Sequence, residues 1–368
     1  MRSGAGKAHN AERMRFDSEP GVRLAACRSA VPAHVVDQEI TARGLCQLFP
    51  DESAGFVRGL VARSGVETRH MVPSVAEVLS PSDFTARNER YREDALCLAL
   101  EACRRTLGDS RTDPERVDVL IDVSCTGVAI PALDVPLAQE LGLRPDVLRV
   151  PVTESGCAAG ALALGLAGTF ADAGSTVLVA AVELCSLTLC AGDRSRTNLV
   201  SAAIFGDGAA SALLVPGGRG PRLLASGSFL IPGSRATMGF DIGTHGLRIV
   251  LQRELPELVQ RELRPVVERF LARNGSALAR IGLYLLHPGG RRILEAYRDE
   301  LGLDDHALRF SRESLRRFGN LSSVSILTVL ELALAEGFPL GAGEQALVIA
   351  IGPGLSLELA LFAGAESP

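Results

Sequence analysis

The sequence predicts an α/β protein: a duplicated unit folded into five layers, αβαβα, with mixed sheets. Three observations carry that prediction. First, six short runs are nearly continuously apolar and rich in Val, Ile, Leu or Ala. They are Val117–Val123, Thr176–Val182, Ala209–Val215, Ile281–Leu286, Ala346–Ile351 and Ser356–Phe362. Runs of this length between helical segments suit strands buried on both faces. Second, the order strand, helix, strand, strand occurs twice, with Ile121 and Val179 lying 58 residues apart and Leu285 and Ile349 lying 64 apart. A period that long, seen only twice, is a duplication and not a solenoid. Third, Ala158–Ala173 and Ser325–Ala335 are apolar on nearly every helical face. A helix apolar all round is buried all round, so one such helix from each half forms a middle layer between two sheets.

The remaining elements follow in order. Residues 1–20 are charged and carry no apolar stretch, which predicts a short disordered leader and no signal peptide. Residues 21–216 form the first half. The run Ala209–Val215 follows its predecessor closely and is expected as its antiparallel partner, as Ser356–Phe362 is in the second half. Pro216–Arg222 reads P-G-G-R-G-P-R, a breaker cluster that separates 21–216 from 217–368. The longest apolar stretch, Ala346–Ala363, contains Pro353 and Glu358 and reads as two strands around a turn, with no membrane span. This five-layer duplicated arrangement is that of the thiolase fold.

Composition removes several function classes. The formal charge is −5 and no basic block occurs, which argues against nucleic acid as a partner. The eight cysteines contain no C-x2-C pair, so neither a structural zinc site nor another metal site is expected. Their scatter through apolar segments fits reduced thiols in the cytoplasm.

Three residues carry the chemistry. Cys157 stands in E-S-G-C-A-A-G directly before the first buried helix. The positive end of the helix and its free N–H groups favour a thiolate there, and small neighbours admit a substrate. His287 ends the strand Ile281–Leu286 and is followed by Pro288-Gly289-Gly290; strand carboxyl ends are where α/β folds bind ligands. Asn320 stands in G-N-L-S-S before the second buried helix, either as its cap or as a neighbour of Cys157. Cys, His and Asn occur in this order in papain-like proteases too, but those expect a Trp beside the cysteine and disulfides, and the chain has no Trp. Without an acidic base, the set suits acyl transfer to Cys157 with His287 as ion-pair partner. Decarboxylation of a malonyl thioester then supplies a carbanion, whose enolate His287 and Asn320 stabilise as donors.

The motifs G-C-A-A-G at Cys157, I-F-G-D-G-A-A at Ile204–Ala210, H-P-G-G at His287, G-N-L-S-S at Asn320 and G-P-G-L at Gly352 resemble those of the type III polyketide synthases, the chalcone-synthase-like branch of the thiolase superfamily. The resemblance runs from about Val22 to Phe362. It implies that Cys157 carries the acyl chain and that His287 and Asn320 are the decarboxylation and oxyanion pair. It implies further that Phe205 stands where the CoA tunnel meets the cavity, and that Ile249 replaces a second gatekeeper Phe and so widens the cavity. Cys125, Cys185, Thr188, Phe240 and Ser322 would line the wall, Ile130 would reach across a homodimer interface, and Arg58 and Arg63 would meet CoA phosphates. The substrates would be an acyl-CoA starter and malonyl-CoA, with no further cofactor. The segments around Ala181–Leu189 and Met238–Gly243 are similar to bacterial enzymes that make alkylpyrones and alkylresorcinols from long acyl starters. Ketoacyl synthase III-like enzymes share the Cys–His–Asn set, so a single condensation or ester formation is the alternative. Glu154, unusual beside the motif, is read as a buried partner of the sulfur.

Overall fold

A computed structural model describes residues 14–80, 83–243 and 246–364. In the first half, Val119–Val123 pairs in parallel with Val177–Leu184, which pairs antiparallel with Asp207–Pro216, which in turn pairs antiparallel with Val22–Ala30. The second half repeats that pattern: Ile281–Leu286 is parallel to Gln345–Gly352, and Ser356–Ala363 and Arg222–Leu230 follow antiparallel. Leu148–Val152 extends the first half as an outer parallel strand. Ile121 faces Val179, and Leu285 faces Val348, with a register shift between Ile281 and Leu283.

Alternation along each strand builds the layers. Val119, Ile121 and Val123, with Val177, Val179 and Ala181, face inward; Leu120, Leu178, Ala180 and Val182 face outward, where they meet Ala95, Ala99 and Ala102 of the helix Phe84–Ser110. In the second half Leu285, Ala346, Val348 and Ala350 face inward. Leu286, Leu347, Ile349 and Ile351 face outward against Val259, Leu263 and Phe270 of the helix Leu255–Arg273. The two inward faces enclose the central helices Ala159–Asp172 and Ser325–Ala335, and the core between them is one continuous cluster.

Two expectations need correction. The halves do not form separate sheets: Val22 pairs with Leu223 and Arg23 with Arg222, so one mixed ten-stranded sheet runs through both. Nor is the leader disordered throughout. Residues 1–13 lie outside the described residues, but Met14 and Arg15 pair with Ser226 and Ala225 of the second half, and Phe16 is only 2% exposed. An apolar side chain and a strand edge that needs hydrogen bonds hold this segment.

The central helices approach closely at their starts. A Cβ on Gly160 would lie 2.2 Å from the Ser323 carbonyl oxygen and 2.8 Å from Ile326 Cγ2. Only glycine permits that crossing, and it brings the two helix starts to one place.

Candidate active site

Cys157 occupies a single tight turn, Gly156–Ala158, ahead of the first central helix. Gly156 has φ +56, and a Cβ there would lie 2.5 Å from Pro353 Cγ. The G-C-A-A-G glycines are thus explained by backbone conformation at one end and helix contact at the other. A matching turn, Ser322–Val324, precedes the second central helix. Ser322 Oγ lies 3.5 Å from Cys157 Sγ and 3.7 Å from Cys125 Sγ. The Ser322 N–H donates to Asn320 Oδ1 at 2.9 Å, and the Ser325 hydroxyl donates to the same oxygen. Asn320 therefore acts as the acceptor of an Asx turn, and its Nδ2 makes no hydrogen bond among the described residues. Ser322 holds φ +52, an uncommon conformation for a residue with a side chain.

Cys157 and Ser322 border a mostly apolar cavity of about 90 Å³ that opens to solvent. Cys157, Cys125, Cys185, Thr188, Phe205, Phe240, Ile249 and Ser322 all line it. Phe240 and Ile249 are cross-strand partners in the hairpin Met238–Gly243/Gly246–Leu251. The opposite wall comes from the helix Gln38–Leu48, which starts at Asp37 as its cap, and from the short helix Val75–Leu79. That wall carries no motif and was not foreseen from the sequence.

His287 and Asn320 do not line the cavity; each is 2% exposed. The His287 N–H donates to the Ile349 carbonyl at 2.8 Å, which fixes the residue beside the strand that ends at Gly352-Pro353, against Gly156. Its Nδ1 is buried without a partner. Burial lowers the imidazole to about 4. Burial also pushes the Cys157 thiol up to about 11, with the Ser322 hydroxyl opposing and the Glu183 carboxyl adding to the rise. Burial thus works against both charges of the expected ion pair, because taking either out of water is costly.

The expectation for Glu154 is also corrected: it is exposed, and its carboxylate accepts from the Thr153 hydroxyl. The carboxyl beside the sulfurs is Glu183, fully buried in the strand Val177–Leu184. It accepts from the Cys125 N–H at 3.1 Å and from the hydroxyls of Thr126, at 2.8 Å, and Ser323. Burial raises its pKa, and its charge raises Cys125, Cys157 and Cys185. The sequence held a signal for it, an acidic residue inside an otherwise apolar strand. Arg58 and Arg63 lie outside the cavity wall; Arg58 pairs with Glu39 at 2.8 Å, and Arg63 ends the helix Ala54–Ala62. Ile130 is 90% exposed. Among the described residues no helix is long and apolar enough to cross a membrane.

Fold and cavity together define a thiolase-like acyltransferase. The chain belongs to the chalcone and stilbene synthase family: the model of that family's N-terminal domain matches residues 10–218 and that of its C-terminal domain residues 222–365. It is a type III polyketide synthase, an enzyme of decarboxylative Claisen condensation. It is 37% identical over 353 residues to the 1,3,6,8-tetrahydroxynaphthalene synthase of Streptomyces peucetius subsp. caesius, covering 93% of each chain. It is 29% identical over 378 residues to the alpha-pyrone synthesis polyketide synthase-like Pks18 of Mycobacterium tuberculosis, covering 97% of this chain and 96% of the other. The crystal structure of the tetrahydroxynaphthalene synthase of Streptomyces coelicolor A3(2) superposes with a TM-score of 0.89 at 31% identity, covering 94% of this chain and all of the other.

Proposed function

We propose that the enzyme loads an acyl-CoA starter on Cys157, condenses it iteratively with malonyl-CoA and cyclises the chain to an alkylpyrone, an alkylresorcinol or a related phenol. The neutral imidazole of His287 takes the Cys157 proton, and the thiolate attacks the starter carbonyl. The new C–S bond forms as the CoA thiolate leaves and is protonated. Malonyl-CoA then loses CO2, and the electron pair of the broken bond becomes the enolate of acetyl-CoA. Donors from His287 and from Asn320 Nδ2 stabilise that oxygen. The enolate carbon attacks the Cys157 thioester; a C–C bond forms, the C–S bond breaks and the sulfur is free to reload.

The observation that carries the reading is the cysteine at one central helix start, linked through Ser322 to the Asn320 turn at the other, on an apolar cavity. The aliphatic lining supports an alkyl starter. Arg58 and Arg63 serve CoA phosphates in this reading; what supports it is their exposure and the contact of Arg58 with Glu39, the neighbour of cavity-lining Ile40. Two thiolase-like halves, 21–216 and 217–368, and a homodimer that buries Ile130 complete the proposal.

The test is incubation with a panel of acyl-CoAs plus malonyl-CoA, and with malonyl-CoA alone, reading product masses. Products that grow by two-carbon units on an acyl starter are expected. Single-condensation products throughout would overturn iteration; product from malonyl-CoA alone, with no acyl-CoA incorporated, would overturn the separate starter. Replacing Cys157 with Ala abolishes product.

A further inference from the structure

Arg69 is the only charged side chain among the described residues that line the cavity, yet it is itself buried. It lies on the short strand Thr68–Met71. Its Nη1 donates to the carbonyl oxygens of Ala202 and of Phe205, the latter at 2.8 Å. Both carbonyls belong to the last turn of the helix Arg196–Ile204 or to the residue that caps it, the end where a helix has unmet acceptors and negative potential. Asp207 is fully buried close by, and its charge favours the guanidinium. Asp207 accepts from the Val72 N–H at 2.8 Å, the Ser186 N–H at 2.7 Å and the Ser186 hydroxyl. Arg69 and Asp207 thus grip the segment Phe205–Asp207 from both ends.

That segment holds Asn320. The Asn320 N–H donates to the Ile204 carbonyl at 2.8 Å, and the Gly206 N–H donates to the Asn320 carbonyl at 3.0 Å. No slack remains beside it: a Cβ on Gly206 would lie 2.5 Å from the Phe318 carbonyl oxygen and 3.3 Å from Arg69 Cβ. A displacement of the Phe205 peptide is therefore passed directly to the Asn320 backbone. Cys157 sits on the other helix start and, among the described residues, meets the Asn320 turn only through Ser322, whose Oγ lies 3.5 Å from its Sγ.

We infer that Arg69 is a positioning residue for the malonyl half-reaction: by fixing the Phe205 carbonyl it sets both the Phe205 ring and the Asn320 amide, and it leaves acyl loading on Cys157 almost untouched. The inference rests on the roles proposed above for Asn320 and Cys157. Lysine keeps the charge but loses the rigid, planar guanidinium whose Nη1 meets both carbonyls, so Arg69→Lys is the sharp variant. The double variant Arg69→Met/Asp207→Asn removes both charges and avoids leaving one buried alone.

Each protein is assayed for acyl loading on Cys157 by intact mass after single turnover, for CO2 release from malonyl-CoA, and for Tm. Small misplacements at a reacting centre cost up to about 100-fold. Arg69→Lys is expected to lose about 10- to 100-fold in CO2 release, with a raised KM for malonyl-CoA and loading within about threefold of wild type. Unchanged CO2 release, or equal loss of loading and CO2 release, would overturn the inference. So would a chain that unfolds in both variants, since that assigns the pair to folding alone. Wild-type protein that neither loads nor releases CO2 would instead sink the proposed function.

Discussion

Gly160→Ala tests whether the crossing of the central helices sets the site. The added Cβ would stand 2.2 Å from the Ser323 carbonyl oxygen, where ordinary contact begins at 3.4 Å. About 1.2 Å must therefore be found, and the obstacle is backbone, with Ile326 Cγ2 also in the way at 2.8 Å. The second helix start must move, and it carries Ser322 beside Cys157. Overpacking of this kind costs about 1–3 kcal/mol of stability, and a shift near 1 Å at a reacting centre costs about 100-fold in rate. Gly108→Ala is the matched control: it is also helical, with nothing within 4 Å of the added Cβ, so it is expected to gain up to about 1 kcal/mol. Urea denaturation and steady-state product formation are compared for both. If Gly160→Ala matched the control in stability and retained wild-type turnover, the close crossing would not be what aligns the two helix starts.

Three further outcomes follow. Ile249→Phe sets a second ring opposite Phe240 across the hairpin and is expected to shorten the preferred acyl starter by several carbons in a competition assay; an unchanged product-length profile counts against Ile249 as the widening residue. Glu183→Gln removes the charge that raises Cys125, Cys157 and Cys185, so iodoacetamide should label these thiols faster at pH 8, and slower labelling would contradict the electrostatic assignment. Burial pushes Glu358 up to about 7 from an ordinary 4.5. The folded state therefore keeps a proton that the unfolded state releases, and stability falls as pH rises through that window. Glu358→Gln, still able to accept from the Ser228 hydroxyl, should gain about 3 kcal/mol at pH 8 and almost nothing at pH 4; equal gains at both would refute the shift.

The sheets were legible in the sequence because a strand buried on both faces cannot hide its composition. Ile121 and Val179 are direct partners. The helix starts were legible because Gly156 and Gly160 answer geometric demands that no other residue meets. The cavity was legible only in part. Cys125 and Ser322 lie 197 residues apart, and their contact depends on how two helices cross. The wall from Gln38–Leu48 is an ordinary amphipathic surface helix by pattern, and nothing in its spacing says that Gly44 and Leu45 face a cavity. Glu183 was readable as a charge in an apolar strand, whereas Arg69, between Thr68 and His70, gave no such signal. Neither residue's partner was readable, since Ser323 and Phe205 come from elsewhere in the chain. The burial around Cys157 and His287 was not legible for a related reason: residue types give a partner's charge, and only the fold gives the burial that opposes it.

The two halves repeat a topology but leave their helix starts in different states. At the second start the N–H groups of Leu321 and Ser322 are taken by Ser325 Oγ and Asn320 Oδ1. Neither short turn, Gly156–Ala158 or Ser322–Val324, carries a side-chain cap at its own N-cap residue. A side-chain cap contributes about 1 kcal/mol, and Ser155 stands in place to offer one but does not. Uncapped N–H groups at a buried helix start are donors waiting for an acceptor. In the proposed reaction an acyl thioester on Cys157 would bring one, its carbonyl oxygen, which becomes an oxyanion as the enolate attacks. Duplication thus supplies two helix ends at one point, where Gly160 lets the second start approach the first.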